Sequence, residues 1–302
     1  MTSDALAGSS PPDSPGRRAL AGLYRRGRLQ LALLLAAPTG WFVVLYLGSL
    51  ALLLVSAFWY LDPTTSSIVR SFTLQNFGTL LSDPVYRTIA LRTVFIAALV
   101  TVTDMAIAFP MAWYLARAAA PRTRSVLFML VLLPLWSSYL VRVYAWRVIL
   151  SPGGLLDWLF GLVGLPNLSP GFSDVSMWIV FSYLWLPYMI LPIYAGLERI
   201  PQSYFEASAD LGARGWPTFR RIALPLALPA LAAGSIFTFS LTLGDYITPQ
   251  LVSNTQFIGN VIYASQGVSN NVPFAAAFAV VPVLIMAAYL LVARRLGAFD
   301  AL

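Results

Sequence analysis

Apolar residues run along this chain in long blocks rather than in the short stripes of a water-soluble fold. Stretches long enough to cross a bilayer, which takes about 20 predominantly apolar residues, fall at 29–60, 88–116, 125–149, 175–197, 225–247 and 273–293. An all-α membrane protein with six transmembrane helices is therefore predicted. A shorter apolar run, Leu155–Leu165, is broken by Gly161 and Gly164 and closed by Pro166. It is expected to lie at the membrane surface as a helix and turn, not to form a seventh span. Pro134, Pro187 and Pro192 fall within spans three and four, where kinks are tolerated if neighbouring helices re-satisfy the freed backbone groups. No repeat with a period of about 20–50 residues and no inverted repeat is visible.

Composition sharpens this picture by exclusion. Of 302 residues, 59% are hydrophobic and 10% charged, against about 25% charged in a soluble domain. The 19 basic residues are all Arg, and the chain has no Lys, His or Cys. That removes zinc fingers, imidazole bases and Cys–His or Ser–His–Asp nucleophiles. It also removes a Walker A lysine, so any use of ATP must come through another chain.

The arginines cluster in alternate loops, as the positive-inside rule requires. Arg117, Arg122 and Arg124 lie between spans two and three. Arg199, Arg214, Arg220 and Arg221 lie between four and five, and Arg294 and Arg295 close span six. Both termini are therefore expected in the cytoplasm, with the loops at 61–87, 150–174 and 248–272 outside. Residues 1–28, rich in Ser, Pro, Gly and Arg, read as a disordered cytoplasmic arm, and residues 297–302 as a cytoplasmic tail. The pairs Arg17–Arg18 and Arg25–Arg26 could belong to a twin-Arg export signal, but the apolar run that follows is far longer than the roughly 7–15 residues of a signal core.

Between spans four and five the chain reads ERIPQSYFEASADLGARGWPTFRRIALP, Glu198 to Pro225. Locally this predicts a short helix, a glycine break and a second short helix leading into span five. Pro201 suits a first helical turn, Ser203 and Glu206 have capping-box spacing, and Gly212 can take a left-handed C-cap. On these grounds alone it is a self-capped hairpin on the membrane surface.

The same residues resemble the coupling segment of binding-protein-dependent ABC importer permeases: Glu-Ala-Ala, three residues, Gly, nine residues, Ile, any residue, Leu-Pro. Here Glu206, Ala207, Ser208, Gly212, Ile222, Leu224 and Pro225 keep every spacing, with Ser208 in place of the second Ala. Phe72–Tyr86, Phe109–Trp136, Tyr139–Leu156 and Gly244–Val252 further resemble the spermidine/putrescine branch. The resemblance covers about Leu29 to Leu296 and implies a type I, MetI-like core in residues 29–296, with an ATPase-coupling segment at 198–225 in the inner membrane of a bacterium. It also implies the partners: a second permease subunit, two ATPase subunits that bind ATP and magnesium, and an extracytoplasmic solute-binding protein. No cofactor or metal is expected on this chain itself, and the solute implied is a polyamine-like cation. Another small solute is the alternative, and an ion-coupled carrier or channel is a competing class.

Ionisable and hydroxylated residues at bilayer depth are candidates for the translocation path. Asp104 shares a helical face with Ala97, Thr101, Ala108 and Met111, and could instead be the structural partner of an arginine. Gly234, Thr238, Thr242 and Asp245 fall within about 80° of arc at roughly 100° per residue; such a stripe suits pathway lining and close packing alike. Asp245 could alternatively pair with Arg142 or Arg147. Trp59, Tyr60, Tyr144, Trp146 and Trp178 fit an outer aromatic belt, and Trp113 and Tyr114 an inner one. Trp136, Tyr139, Trp185 and Tyr188 lie near mid-membrane, where they could face an organic cation or pack as core.

Overall fold

The computed structural model describes residues 27–164, 169–213 and 215–295. The arm before Gly27, Pro166, Arg214 and the tail after Arg295 lie outside the described residues. The chain divides into two units, residues 1–55 and 56–302.

In the first unit α1 (Gly27–Trp41) passes through a π-helical turn at Phe42–Leu47 into α2 (Gly48–Ser56) without interruption. Leu34–Ser56 is long and apolar enough to cross a membrane, in line with the first predicted span.

The second unit opens with a short antiparallel ribbon in which β1 (Tyr60–Leu61) pairs with β2 (Ile68–Val69). Asn76, on α3 (Gln75–Ser82), donates its amide to the carbonyls of Ala57 and Trp59 at 2.9 and 2.8 Å, tying the ribbon down. Asp83 then caps α4 (Pro84–Trp113): its carboxylate accepts the Val85 amide at 2.8 Å, and Pro84 occupies the first turn, where a missing N–H costs nothing. A π-helical turn, Tyr114–Ala118, carries α4 onward until the extended backbone of Ala119 ends it, and Ala120, extended before Pro121, opens the next helix.

Span three, expected at 125–149 with Pro134 inside it, is broken into two helices. α5 (Pro121–Trp136) and α6 (Tyr139–Leu150) meet at 95°. Pro134 removes one N–H from the ladder and leaves α5 ready to stop. Ser137 and Ser138 then go extended, and the Ser137 hydroxyl donates to the Pro134 carbonyl at 2.7 Å, satisfying a group the bend sets free. Hydropathy cannot register such a break, because both arms are equally apolar.

α7 (Leu155–Leu162) is the short surface helix anticipated between spans three and four. Asp157 anchors it, accepting the amides of Gly153 (2.7 Å) and Ser169 (3.1 Å) and the Ser169 hydroxyl (2.9 Å). α8 (Asp174–Arg199) starts at a Ser173 cap and carries Asp174 in its first turn and Arg199 in its last, each complementing the helix dipole. After the coupling segment, α11 (Leu224–Gly244) runs back, and α14 (Val272–Arg295) closes the fold. The segment between them holds two further helices, α12 (Ile247–Val252) and α13 (Ile258–Gly267). Among the described residues five helices are long and apolar enough to span, and the bent pair α5–α6 makes up to six.

The centre of the second unit is the packing of α4, α8 and α11. Lipid tails are as apolar as Leu, so close fit rather than withdrawal from water holds such helices together. Two glycines make the fit possible. A Cβ on Gly196 would stand 2.4 Å from that of Ala230, and one on Gly234 would stand 2.7 Å from the Met189 sulfur. Towards the coupling segment the core is built on Phe109, Leu115, Met189, Ile193 and Leu231. At the opposite end polar links join the elements: Arg92 pairs with Asp174 at 3.7 Å, Thr255 donates to Asp174 at 2.6 Å, and the Ile258 amide donates to Thr93 at 3.1 Å.

Candidate functional site

The segment between α8 and α11, residues 198–225, folds as the helix–glycine–helix hairpin expected from its local sequence. α9 (Gln202–Asp210) is followed by the short α10 (Trp216–Thr218) and a π-helical turn, Phe219–Ala223, that runs into α11. Its start differs from expectation. Pro201 holds the N-cap position with no side-chain cap, so Ser203 already sits inside the first turn and no capping box with Glu206 forms. Glu206 is exposed and has no capping role to occupy it.

Gly212 takes φ +78°, the left-handed position that ends a helix, and its amide returns to the Ala209 carbonyl at 2.9 Å while the Ala213 amide reaches Ser208 at 3.0 Å. A Cβ there would meet nothing within 4 Å, so the requirement for glycine is conformational rather than steric. Ser208, which stands in place of the second Ala, is buried inside the hairpin: its hydroxyl meets that of Thr218 at 2.8 Å, and Thr218 donates to the Ala213 carbonyl at 2.9 Å. The residue following Glu-Ala therefore fastens the two arms together. Leu224 packs into the core beneath, Ile222 is half-buried, and Pro225 sits exposed in the first turn of α11.

What remains on the outer face is Glu206 and Ala207 with Tyr204, Leu211 and Trp216, the last three 52%, 88% and 68% exposed. The segment thus exposes three large apolar side chains as well as the Glu206 carboxylate, while its two arms are fastened from within. The inner face is aromatic. Phe205 lies against Trp113 and Phe219 against Phe109, at ring separations of 5.8 and 5.3 Å.

The pathway candidates separate into distinct settings. Asp104 is fully buried on α4 together with Ala97, Thr101 and Ala108, whereas Met111 of the same predicted face is exposed. Both Asp104 carboxylate oxygens lack a hydrogen-bond partner among the described residues, as does the Ser182 hydroxyl that faces it from α8. No ion pair reaches Asp104 among the described residues, so the arginine partnership considered for it is not formed. Thr238 and Thr242 are buried with Gly234 along the face that meets α8; Thr242 donates to the Thr238 carbonyl at 2.8 Å, and the Thr238 hydroxyl is unpartnered.

Asp245 lies just beyond α11 and not inside a span. Its Oδ1 accepts the amides of Ile247 (2.8 Å) and Thr248 (3.2 Å), while Oδ2 accepts the hydroxyls of Thr248 (3.0 Å) and Tyr139. The alternative pairing with Arg142 or Arg147 is not realised. Arg147 lies over the Phe172 ring at 5.5 Å, and Arg142 is buried with Nε and Nη1 unpartnered among the described residues. Tyr139, Trp185 and Tyr188 form one aromatic group, with Tyr139 stacked on Trp185 at 6.0 Å and Tyr188 edge-on at 5.9 Å. Trp136 does not join them; it is 84% exposed at the end of α5.

Apolar helices of spanning length, closely packed around glycine and carrying an exposed, internally fastened hairpin, define a multi-span helical membrane protein. Comparison with known proteins identifies which kind. Residues 93–298 match the family described as "Binding-protein-dependent transport system inner membrane component", and the chain belongs to this family: it is an inner-membrane ABC importer permease of type I. It is 45% identical over 306 residues to "Inner membrane ABC transporter permease protein YdcU" of Escherichia coli (strain K12), covering 96% of this chain and 97% of that one. It is 30% identical over 262 residues to "Spermidine/putrescine transport system permease protein PotB" of the same organism, covering 85% and 94%. Among solved structures it is similar in fold to a chain of a bacterial ABC transporter involved in the import of the acidic polysaccharide alginate, with a TM-score of 0.72 and 19% identity over 92% of this chain and 99% of that one.

Proposed function

We propose that this permease imports a polyamine-like organic cation, driven by two ATPase subunits that dock on the hairpin and supplied by an extracytoplasmic binding protein. A second permease subunit would complete the passage, and both termini would face the cytoplasm. The relationship to permeases named for spermidine and putrescine, over 85% of the chain, carries the choice of solute. Chemistry supports it: a chain of protonated amines leaving water needs carboxylate and aromatic faces, and Asp104, Asp245, Tyr139, Trp185 and Tyr188 offer both. Thr238 and Thr242 would shape the same passage through the packing of α11, and exposed Trp136 would meet lipid or the second subunit.

On this reading ATP binding draws the ATPases together, each moves a hairpin, and the helical bundles rock to admit the solute. One observation favours a different small solute: the buried guanidinium of Arg142 has no carboxylate partner among the described residues and would repel a passing cation. Proteoliposomes containing the full complex and its binding protein decide between them. Uptake of labelled spermidine or putrescine that needs ATP and survives ionophores is the expected result. Uptake of an uncharged or anionic solute with no competition from polyamines would overturn the solute assignment, and uptake abolished by ionophores would overturn the ATP-driven mechanism.

A further inference from the structure

Three side chains at the coupling-segment end of α4 recur every fourth residue: Phe109, Trp113 and Arg117. In a straight α-helix two such steps drift by about 80°, but the π-helical turn Tyr114–Ala118 has more residues per turn and brings Arg117 back towards the face of the other two. Each grips a different part of the hairpin. Phe109 packs edge-on against Phe219, beyond the glycine break, and Trp113 contacts both Phe205 and Phe219 at 5.8 and 6.2 Å.

Arg117 holds the joint itself. Its Nη2 donates to the carbonyls of Ile200 (2.6 Å) and of Leu197 (2.5 Å), the latter also accepting the Ile200 amide at 3.3 Å, and Nη1 reaches the Gln202 side-chain oxygen at 3.5 Å. The guanidinium carbon lies over the Phe205 ring, 4.5 Å from its centroid. One cation thus binds the last turn of α8, the linker at Ile200–Pro201 and the first two turns of α9. Carbonyls at a helix C-terminus carry partial negative charge, which suits a cation there. A lysine could supply the charge but not the planar fork that reaches two carbonyls and the Gln202 side chain at once.

We propose that Arg117 is a positioning residue that locks the coupling helix α9 to α4, so that a displacement of the docking face is delivered to α4 as one rigid movement. The proposal rests on the coupling role assigned above to the hairpin. Without the lock, α9 would swivel about Ile200–Pro201 and absorb the ATPase stroke.

Two measurements on the assembled complex test it. The first is the number of solute molecules imported per ATP hydrolysed. Arg117→Ala should leave the ATPases bound and hydrolysing while this ratio falls about tenfold, inside the roughly 5–150-fold range of coupling between sites; Arg117→Lys should restore part of it. The second is the distance between spin labels on cysteines introduced at the exposed Met111 and Ser203, read with and without ATP. In the native background it should stay constant and narrow, and in Arg117→Ala it should broaden and shift on ATP addition. An unchanged import ratio in Arg117→Ala, or a native Met111–Ser203 distance that itself changes with ATP, would overturn the proposal. Should Arg117→Ala fail to assemble, Gln202→Ala and Arg117→Lys carry the same test with smaller expected losses. Failure of the coupling reading looks different: hydrolysis would then be indifferent to every hairpin variant, including Glu206→Ala and Gly212→Trp.

Discussion

The Tyr139 phenol, on α6, donates to the carboxylate of Asp245 just past the end of α11, and so joins the short arm of the broken third span to the loop that begins α12. Asp245 is thereby both an inter-helix tether and the acceptor that caps α12.

These two duties can be separated by substitution. Asp245→Asn keeps an oxygen able to accept the Ile247 and Thr248 amides, and Asn is as good a cap as Asp. Assembly should therefore be close to native, and a fall in uptake would report the lost charge. Asp245→Ala loses the cap as well and should lower thermal stability of the purified complex by about 0.5–2 kcal/mol. If both the Asn and the Ala variants assemble and transport as the native chain does, Asp245 acts neither as cap nor as pathway charge.

Within the hairpin, conformation and contact make opposite forecasts for neighbouring residues. Any residue with a Cβ at Gly212 meets open space but must adopt φ +78°, which costs about 1–2 kcal/mol for most side chains and less for Asn. Uptake should follow Gly > Asn > Ala > Val, with Gly212→Trp inactive though inserted; full activity in Gly212→Trp would refute the assignment. Ser208→Ala should weaken the hairpin by about 0.5–1.5 kcal/mol through the lost Thr218 contact. Glu206→Ala should not change stability at all, since Glu206 caps nothing, yet should reduce ATPase binding in a pull-down of the complex.

Orientation is testable without removing native thiols, because the chain has none. A cysteine at the exposed Ser269, just after α13, should react with a membrane-impermeant reagent applied to intact cells. One at the exposed Ser203 should react only after permeabilisation. The reverse pattern would invert the topology.

Acid should loosen the surface segment around α7. Amide donation from Gly153, with Ser169 adding to it, holds the Asp157 carboxyl below its ordinary value of 3.8. A carboxyl whose folded value is depressed contributes stability above its unfolded value and loses it as pH falls through the folded one. The contacts of Asp157 with Gly153 and Ser169 should thus hold at neutral pH and be lost only as pH falls below 3.8 toward the depressed folded value, as followed by labelling a cysteine at Ser151 across a pH series. Asp157→Asn should label readily at neutral pH with a flat pH profile.

The hairpin was readable in the sequence because its constraints are local: a glycine that must turn left-handed and a proline that opens a helix leave their mark within a few residues. Hydropathy located the long helices for the same reason. It missed the elbow at Ser137–Ser138, whose cause is a pair of dihedral angles and a hydroxyl inside a uniformly apolar run. The spacing match says nothing of what the Ser208 hydroxyl does, because its partner Thr218 lies ten residues on. Arg92 drew no attention inside span two, since its partner Asp174 becomes a neighbour only in three dimensions. Arg117 was visible and was used for charge asymmetry alone; the four-residue interval linking it to Phe109 and Trp113 was the signal that pointed further.

The two glycine contacts between α8 and α11 are reciprocal: α8 supplies the notch at Gly196 for Ala230, and α11 supplies it at Gly234 for Met189. Each helix is thus both key and keyway. Advancing one along the other by a turn would drive a side chain into bare backbone at one level or the other, which forbids a piston stroke between them. The pair can only tilt together, as a hinged panel, and whatever opening this subunit makes in the membrane must form at the panel's edges and not along its seam.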